Sequence, residues 1–142
     1  MTAKLKMVLV VRNDLNMRKG KVGAQTGHAV QEAIIDRSGP NSNSVPRLKT
    51  DELTQQWLCA NYPKTVVRVD SEAELLEIYK QACDAGLNTR LVQDLGTTEF
   101  HGQLTYTVVA VGPDWSDRID PITGQSALHA GLVEQGMPLS VD

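Results

Sequence analysis

Aromatic residues are scarce, 4% of 142 positions, with two Trp, three Tyr and one Phe. So few rings cannot supply the repeated stacking platforms on which single-strand binders hold bases. Cysteine is scarcer still: Cys59 and Cys83 are far apart and form no CxxC pair. A disulfide scaffold is excluded, and the expectation is two reduced thiols acting as small core residues. Long apolar runs are missing as well. The stretch 7–11 is far short of the roughly 20 residues that span a bilayer, and too short for a signal-peptide core, so a cytoplasmic chain is expected. The three histidines, His28, His101 and His129, show no metal-ligand spacing, and no G-x-S-x-G elbow occurs.

What is present suits one soluble globular domain, with 41% hydrophobic and 22% charged residues. The net charge of −3 hides an asymmetry. Residues 1–21 carry six of the 14 basic groups (Lys4, Lys6, Arg12, Arg18, Lys19, Lys21) and only one acid, Asp14. A local positive edge on an acidic globule suits an anionic ligand held at one place, and suits poorly a protein that wraps a duplex. A solvated Lys/Arg face would give the same composition.

The run KMVLVV, 6–11, predicts a first, central strand buried on both faces. A loop, 12–20, leads to a helix from 21 to about 36. Its Val22, Ala29, Val30, Ala33 and Ile34 fall on one side, and Lys21, Gln25, His28 and Glu32 on a separate polar stripe. A shorter helix is expected over 48–60, a second strand over 65–69, and a helix capped by Ser71 and Glu74 that ends before Gly86. Strands follow at 89–93 and 104–111, with a last helical turn within 114–120. The segment 94–103 is too short for a crossover helix, so the last two strands, if adjacent, should pair antiparallel. The architecture expected is a four-stranded mixed sheet with helices on both faces, and residues 129–142 read as a tail.

In open α/β sheets, ligands gather at the carboxyl ends of parallel strands, where helix N-termini face anions. That rule selects Lys21 at the helix start, Asp94 at the end of the third strand, Thr98 in the next loop and Thr107 early in the antiparallel fourth strand. Each residue type is also common in turns, strands and solvated helix starts. A nucleoside-triphosphate loop is rejected, because Leu15 stands where its first glycine belongs and Val22 where its Ser/Thr belongs.

KMVLVVRNDLNMRKGKVGAQTGHAV at 6–30, KTVVRVDSEAELLEIYKQACDAGLNTRLVQDLGTT at 64–98, TVVAVGP at 107–113 and DPITG at 120–124 together resemble the type 2 peptidyl-tRNA hydrolases of archaea and eukaryotes. The likeness covers roughly residues 4–128 in the family's order, and the K-G-K-x-x-A-Q-x-x-H-A pattern is its most specific part. It implies a three-layer α/β/α sandwich and hydrolysis of the ester joining a peptide to the 3′ ribose of tRNA. Lys21, Asp94, Thr98 and Thr107 would carry the catalysis, with no metal or organic cofactor. Gln25 and His28 would support the site or contact substrate, and Arg12, Arg18 and Lys19 would meet the tRNA. Two other readings stay open on sequence alone: a non-catalytic RNA- or protein-binding module, and a hydrolase of another small ester or amide. A homodimer is compatible with the sequence but not locatable in it.

Overall fold

The computed structural model describes residues 3–39, 45–96 and 102–124. Its centre is β1 (Leu5–Arg12), whose sequence LKMVLVVR leaves no face for water. Met7, Leu9 and Val11 point to one side and Val8 and Val10 to the other, as the two-residue period of a strand demands. All five are at most 2% exposed.

Each face has its own helical cover. Val22, Ala29 and Ala33 of α1 (Lys19–Ile34) and Trp57 of α2 (Glu52–Cys59) pack with Met7, Leu9 and Val11. On the other side, Leu75, Ile78 and Ala82 of α3 (Glu72–Asp84) join Ile119 and Ile122 of α4 (Ser116–Thr123) around Val8 and Val10. The result is the expected single-domain, three-layer α/β/α sandwich.

With β4 (Lys64–Val69), β5 (Thr89–Asp94) and β6 (Thr105–Trp115), the sheet order is β4-β1-β6-β5. β1 runs parallel to β4, while β6 is antiparallel to both β1 and β5. Three strands therefore end at one edge of the sheet, with Arg12, Val69 and Asp94, and β6 starts there at Thr105. The helix caps explain the entry points. The Asp51 carboxylate accepts the Thr54 N–H, and the Ser71 hydroxyl accepts the Glu74 N–H at 3.1 Å. The Glu74 carboxylate in turn accepts the Asp70 N–H, a variant of the reciprocal box.

Several expectations are corrected. α1 stops at Ile34 because Ile35–Asp36, now β2, pairs with Arg47–Leu48, β3, in a small separate ribbon. The following helix consequently begins at Glu52 and not at 48. The fourth strand continues through Gly112 and Pro113 to Trp115; its register against β1 slips between Lys6 and Val8, the kind of irregularity at which a sheet accepts proline. Cys59 and Cys83 are exposed, not core. At 100° per residue Cys59 lies about 160° round α2 from buried Trp57, and Cys83 about 100° round α3 from buried Ala82. Thr98, His101, His129 and the 129–142 tail lie outside the described residues.

Candidate active site

The end of β5, the first turns of α1 and the start of β6 meet at the carboxyl edge of the sheet. Lys21 Nζ lies 3.0 Å from Asp94 Oδ1, and each side chain keeps 12% exposure. The same Oδ1 accepts the Gln25 Nε2–H at 3.4 Å, while Oδ2 accepts the Gly96 N–H at 2.8 Å. Behind them, the Thr107 hydroxyl donates to Gln25 Oε1 at 2.6 Å. The chain Thr107–Gln25–Asp94–Lys21 thus runs from the core to the surface. The carboxylate dictates the orientation of the Gln25 amide, since only its NH2 can face Asp94.

Gln25 belongs to the buried face of α1, with 4% exposure, rather than to the polar stripe expected from the sequence. At 100° per residue Gln25 stands only about 40° from Ala29, on the buried side of the helix. The series Val22, Gln25, Ala29, Ala33 is the buried one. A glutamine at an apolar spacing was the signal available. Thr107 is fully buried, so its hydroxyl must find a partner inside, and Gln25 supplies it.

Two local features aim Asp94. The β5–β6 register shifts between Val92 and Gln93, just before it, and such irregularities commonly redirect side chains beside sites. Then Gly96 adopts φ +82°, where a Cβ would stand 2.3 Å from the Gln103 carbonyl oxygen, so the turn that returns its N–H to Asp94 requires glycine. Gly96 O accepts the Gly102 N–H at 2.8 Å, which holds these two described residues together.

The electrostatics follow from these contacts. Burial raises the Asp94 pKa, but the hydrogen bonds from Lys21 and Gly96 and the charges of Lys21 and His28 outweigh it, so the net shift is downward. Asp94 is an ionised acceptor at neutral pH.

The other sequence candidates occupy two places. Arg12 is drawn inward, its fork bonded to both carboxylate oxygens of Asp14, at 3.1 and 2.7 Å, and to the Tyr106 carbonyl. Arg18 and Lys19 are exposed at the start of α1. Arg18 occupies the N-cap position with no side-chain cap bond, and the first turn has no acid. Cations oppose the positive end of a helix dipole, so neither Arg18 nor Lys19 stabilises this helix start through the dipole. His28 is exposed farther along α1.

A family model described as peptidyl-tRNA hydrolase PTH2 matches residues 5–129. The chain belongs to this family. It is similar to a peptidyl-tRNA hydrolase of Methanocaldococcus jannaschii, 42% identical over 124 residues that cover 87% of this chain and 99% of that one. It is also similar to the human protein named peptidyl-tRNA hydrolase 2, mitochondrial, 39% identical over 126 residues. The matched region again covers 87% of this chain but only 64% of the human one. A probable peptidyl-tRNA hydrolase 2 of Drosophila melanogaster is 42% identical, with 61% of its length covered.

Proposed function

We propose that this chain hydrolyses peptidyl-tRNA, cleaving the ester between the peptide and the 3′ ribose and returning free tRNA to translation. Membership of the family supports the reaction class. The observation that carries it to particular atoms is the Lys21–Asp94 pair at the carboxyl edge, joined through Gln25 to Thr107.

Ester hydrolysis needs a water aimed at the carbonyl carbon, an acceptor for its proton and positive charge where the oxyanion develops. A carboxylate offers about four acceptor positions. Lys21, Gln25 and Gly96 use three at Asp94, and the fourth is the place for the attacking water. The lowered Asp94 pKa makes it a better orienting acceptor than a proton-abstracting base. The water oxygen, held by Asp94, bonds to the carbonyl carbon while the Lys21 ammonium stabilises the oxyanion; the proton that the water sheds passes by way of the Asp94 hydrogen bond, without resting on the carboxylate, to the 3′ oxygen as its bond to the carbonyl carbon breaks. The products are a peptide acid and the tRNA 3′ hydroxyl. In this reading Thr107 positions Asp94 through Gln25, and Thr98 is assigned a part in catalysis on its place in the sequence.

Arg18 and Lys19, at the uncapped start of α1, are assigned to tRNA phosphates; His28 is assigned to the substrate rim, and Arg12 to holding the edge of the sheet together beneath it. Scarce aromatics favour contact with the backbone and acceptor end over base stacking. No metal or organic cofactor has a part in the scheme, and one chain supplies every group named. A cytoplasmic location fits a tRNA substrate, and among the described residues no helix is long and apolar enough to cross a membrane.

The test is incubation of purified, chelator-treated protein with N-acetyl-aminoacyl-tRNA. Multiple turnovers releasing N-acetyl-amino acid and rechargeable tRNA are expected. Binding without release would favour an RNA-binding module, and turnover confined to simple esters a different hydrolase.

A further inference from the structure

We infer that the cleft between α1 and β5 seats the peptide part of the substrate as an extended strand laid along β5. This rests on the peptidyl-tRNA reading above and deepens it by naming what holds the acyl side of the ester.

The cleft has a volume of about 340 Å³, within the range of sites that hold small ligands. His28, Gln31 and Glu32 form its helical wall, and the unbroken run from Arg90 to Gln93 forms the opposite one. Successive side chains of a strand point to opposite faces of the sheet. Four consecutive residues can line one cleft only if the margin of the strand's backbone is itself the wall. β5 is the last strand on its side of the sheet, and among the described residues no strand pairs with its outer margin. Such a margin presents a row of N–H and C=O groups able to receive another strand.

The cleft adjoins the reactive groups along both elements that wall it. α1 runs antiparallel to β5: Lys21 meets Asp94 at one end, and Arg90 Nε donates to the Glu32 carbonyl at the other. The cleft therefore starts at Gln93, next to Asp94, and leads away from it for four residues, roughly 13 Å at strand spacing. A substrate whose ester carbonyl sits at Lys21 and Asp94 has its C-terminal residue there. Preceding residues that enter this cleft run back from Gln93 toward Arg90, so the peptide lies parallel to β5. Strand addition gains affinity from main-chain hydrogen bonds, which every peptide sequence can make. That suits a substrate class defined by an ester and a peptide backbone and not by particular side chains.

The experiment compares kcat/KM of the parent protein for N-acetyl-aminoacyl-tRNA, for a tetrapeptidyl-tRNA and for two tetrapeptidyl-tRNAs N-methylated at alternate amides. Each main-chain hydrogen bond gives about a two- to tenfold gain. The tetrapeptide ester should therefore exceed the single-residue ester by on the order of tenfold. Because alternate amides of a paired strand face opposite ways, one methylated series should lose that gain and the other keep it. Gln31→Trp, which narrows the helical wall, should also shrink the gain. Equal kcat/KM for the long and short esters, or equal sensitivity of the two methylated series, would overturn the inference while leaving peptidyl-tRNA hydrolysis intact. A Gln31→Trp loss shared equally by long and short esters would assign the cleft to the tRNA end and overturn it as well. No turnover on any ester would remove the hydrolase reading and this inference with it.

Discussion

The bond between Thr107 and Gln25 lets the internal logic of the site be tested without any substrate. The Thr107 hydroxyl is fully buried, Gln25 is 4% exposed, and the two meet at 2.6 Å. Thr107→Val keeps the shape of the side chain but strands Gln25 Oε1 without its donor. Gln25→Met keeps the length but strands the hydroxyl and removes a donor from Asp94. A buried polar group left unsatisfied costs about 1–3 kcal/mol, so each single variant should lose about that much stability. In the double variant neither orphan exists. Its loss should fall short of the sum of the two singles by about 1–2 kcal/mol, well outside the ~0.3–0.5 kcal/mol scatter of independent sites. The assay is denaturant unfolding of all four proteins, with m-values checked for constancy. Additive losses would refute the buried bridge, and with it the claim that Thr107 acts on Asp94 through Gln25.

Other outcomes follow from the same contacts. Gly96→Ala places a Cβ against the Gln103 backbone at a φ of +82°. It should cost about 1–3 kcal/mol and lower kcat through the lost Gly96 N–H bond to Asp94, read by unfolding and by turnover of the folded fraction. The Asp94 pKa is lowered in the folded protein, so its ionisation stabilises the fold above the ordinary carboxylate range and that contribution is lost as pH falls through the folded value. Asp94 should accordingly add no step to the activity profile above about pH 5. Lys21→Met should raise the Asp94 pKa, because burial then opposes fewer compensating contacts; a carboxyl titration by NMR reads the direction, and a value unchanged or lower would contradict the pairing. Arg18→Ala should weaken tRNA binding and reduce the log–log salt slope by about 0.7–0.9. An unchanged slope would place the RNA elsewhere.

Much of this arrangement was legible in the sequence where local rules and the global fold agree. The apolar run at 6–11 fits a central strand, and the short 94–103 connection fits an antiparallel pair between neighbouring strands, as both prove to be. Once the strand directions were known, the carboxyl-edge rule brought Lys21 and Asp94 together from positions 73 residues apart. What escaped depended on contacts between segments distant in sequence, or on fine angular phase. The β2–β3 ribbon is only two residue pairs long, too short to leave a pattern, yet it sets the end of α1. The polarity of Gln25 points to a polar stripe, although its spacing from Val22 and Ala29 puts it on the buried face. Cysteine's usual burial misled at Cys59 and Cys83, where helix phase turns both thiols to water. The cleft beside β5 was invisible because an edge strand is a property of sheet order, not of its own residues.

The most direct test of the central claim is kcat/KM for N-acetyl-aminoacyl-tRNA in the parent and in Asp94→Asn, an isosteric change that keeps an oxygen acceptor but removes the charge paired with Lys21. The account expects a fall of about 10²-fold, the scale of losing the orientation of a reactant, in a protein that still folds and still binds tRNA. Activity within about threefold of the parent would contradict it and move the chemistry away from Asp94.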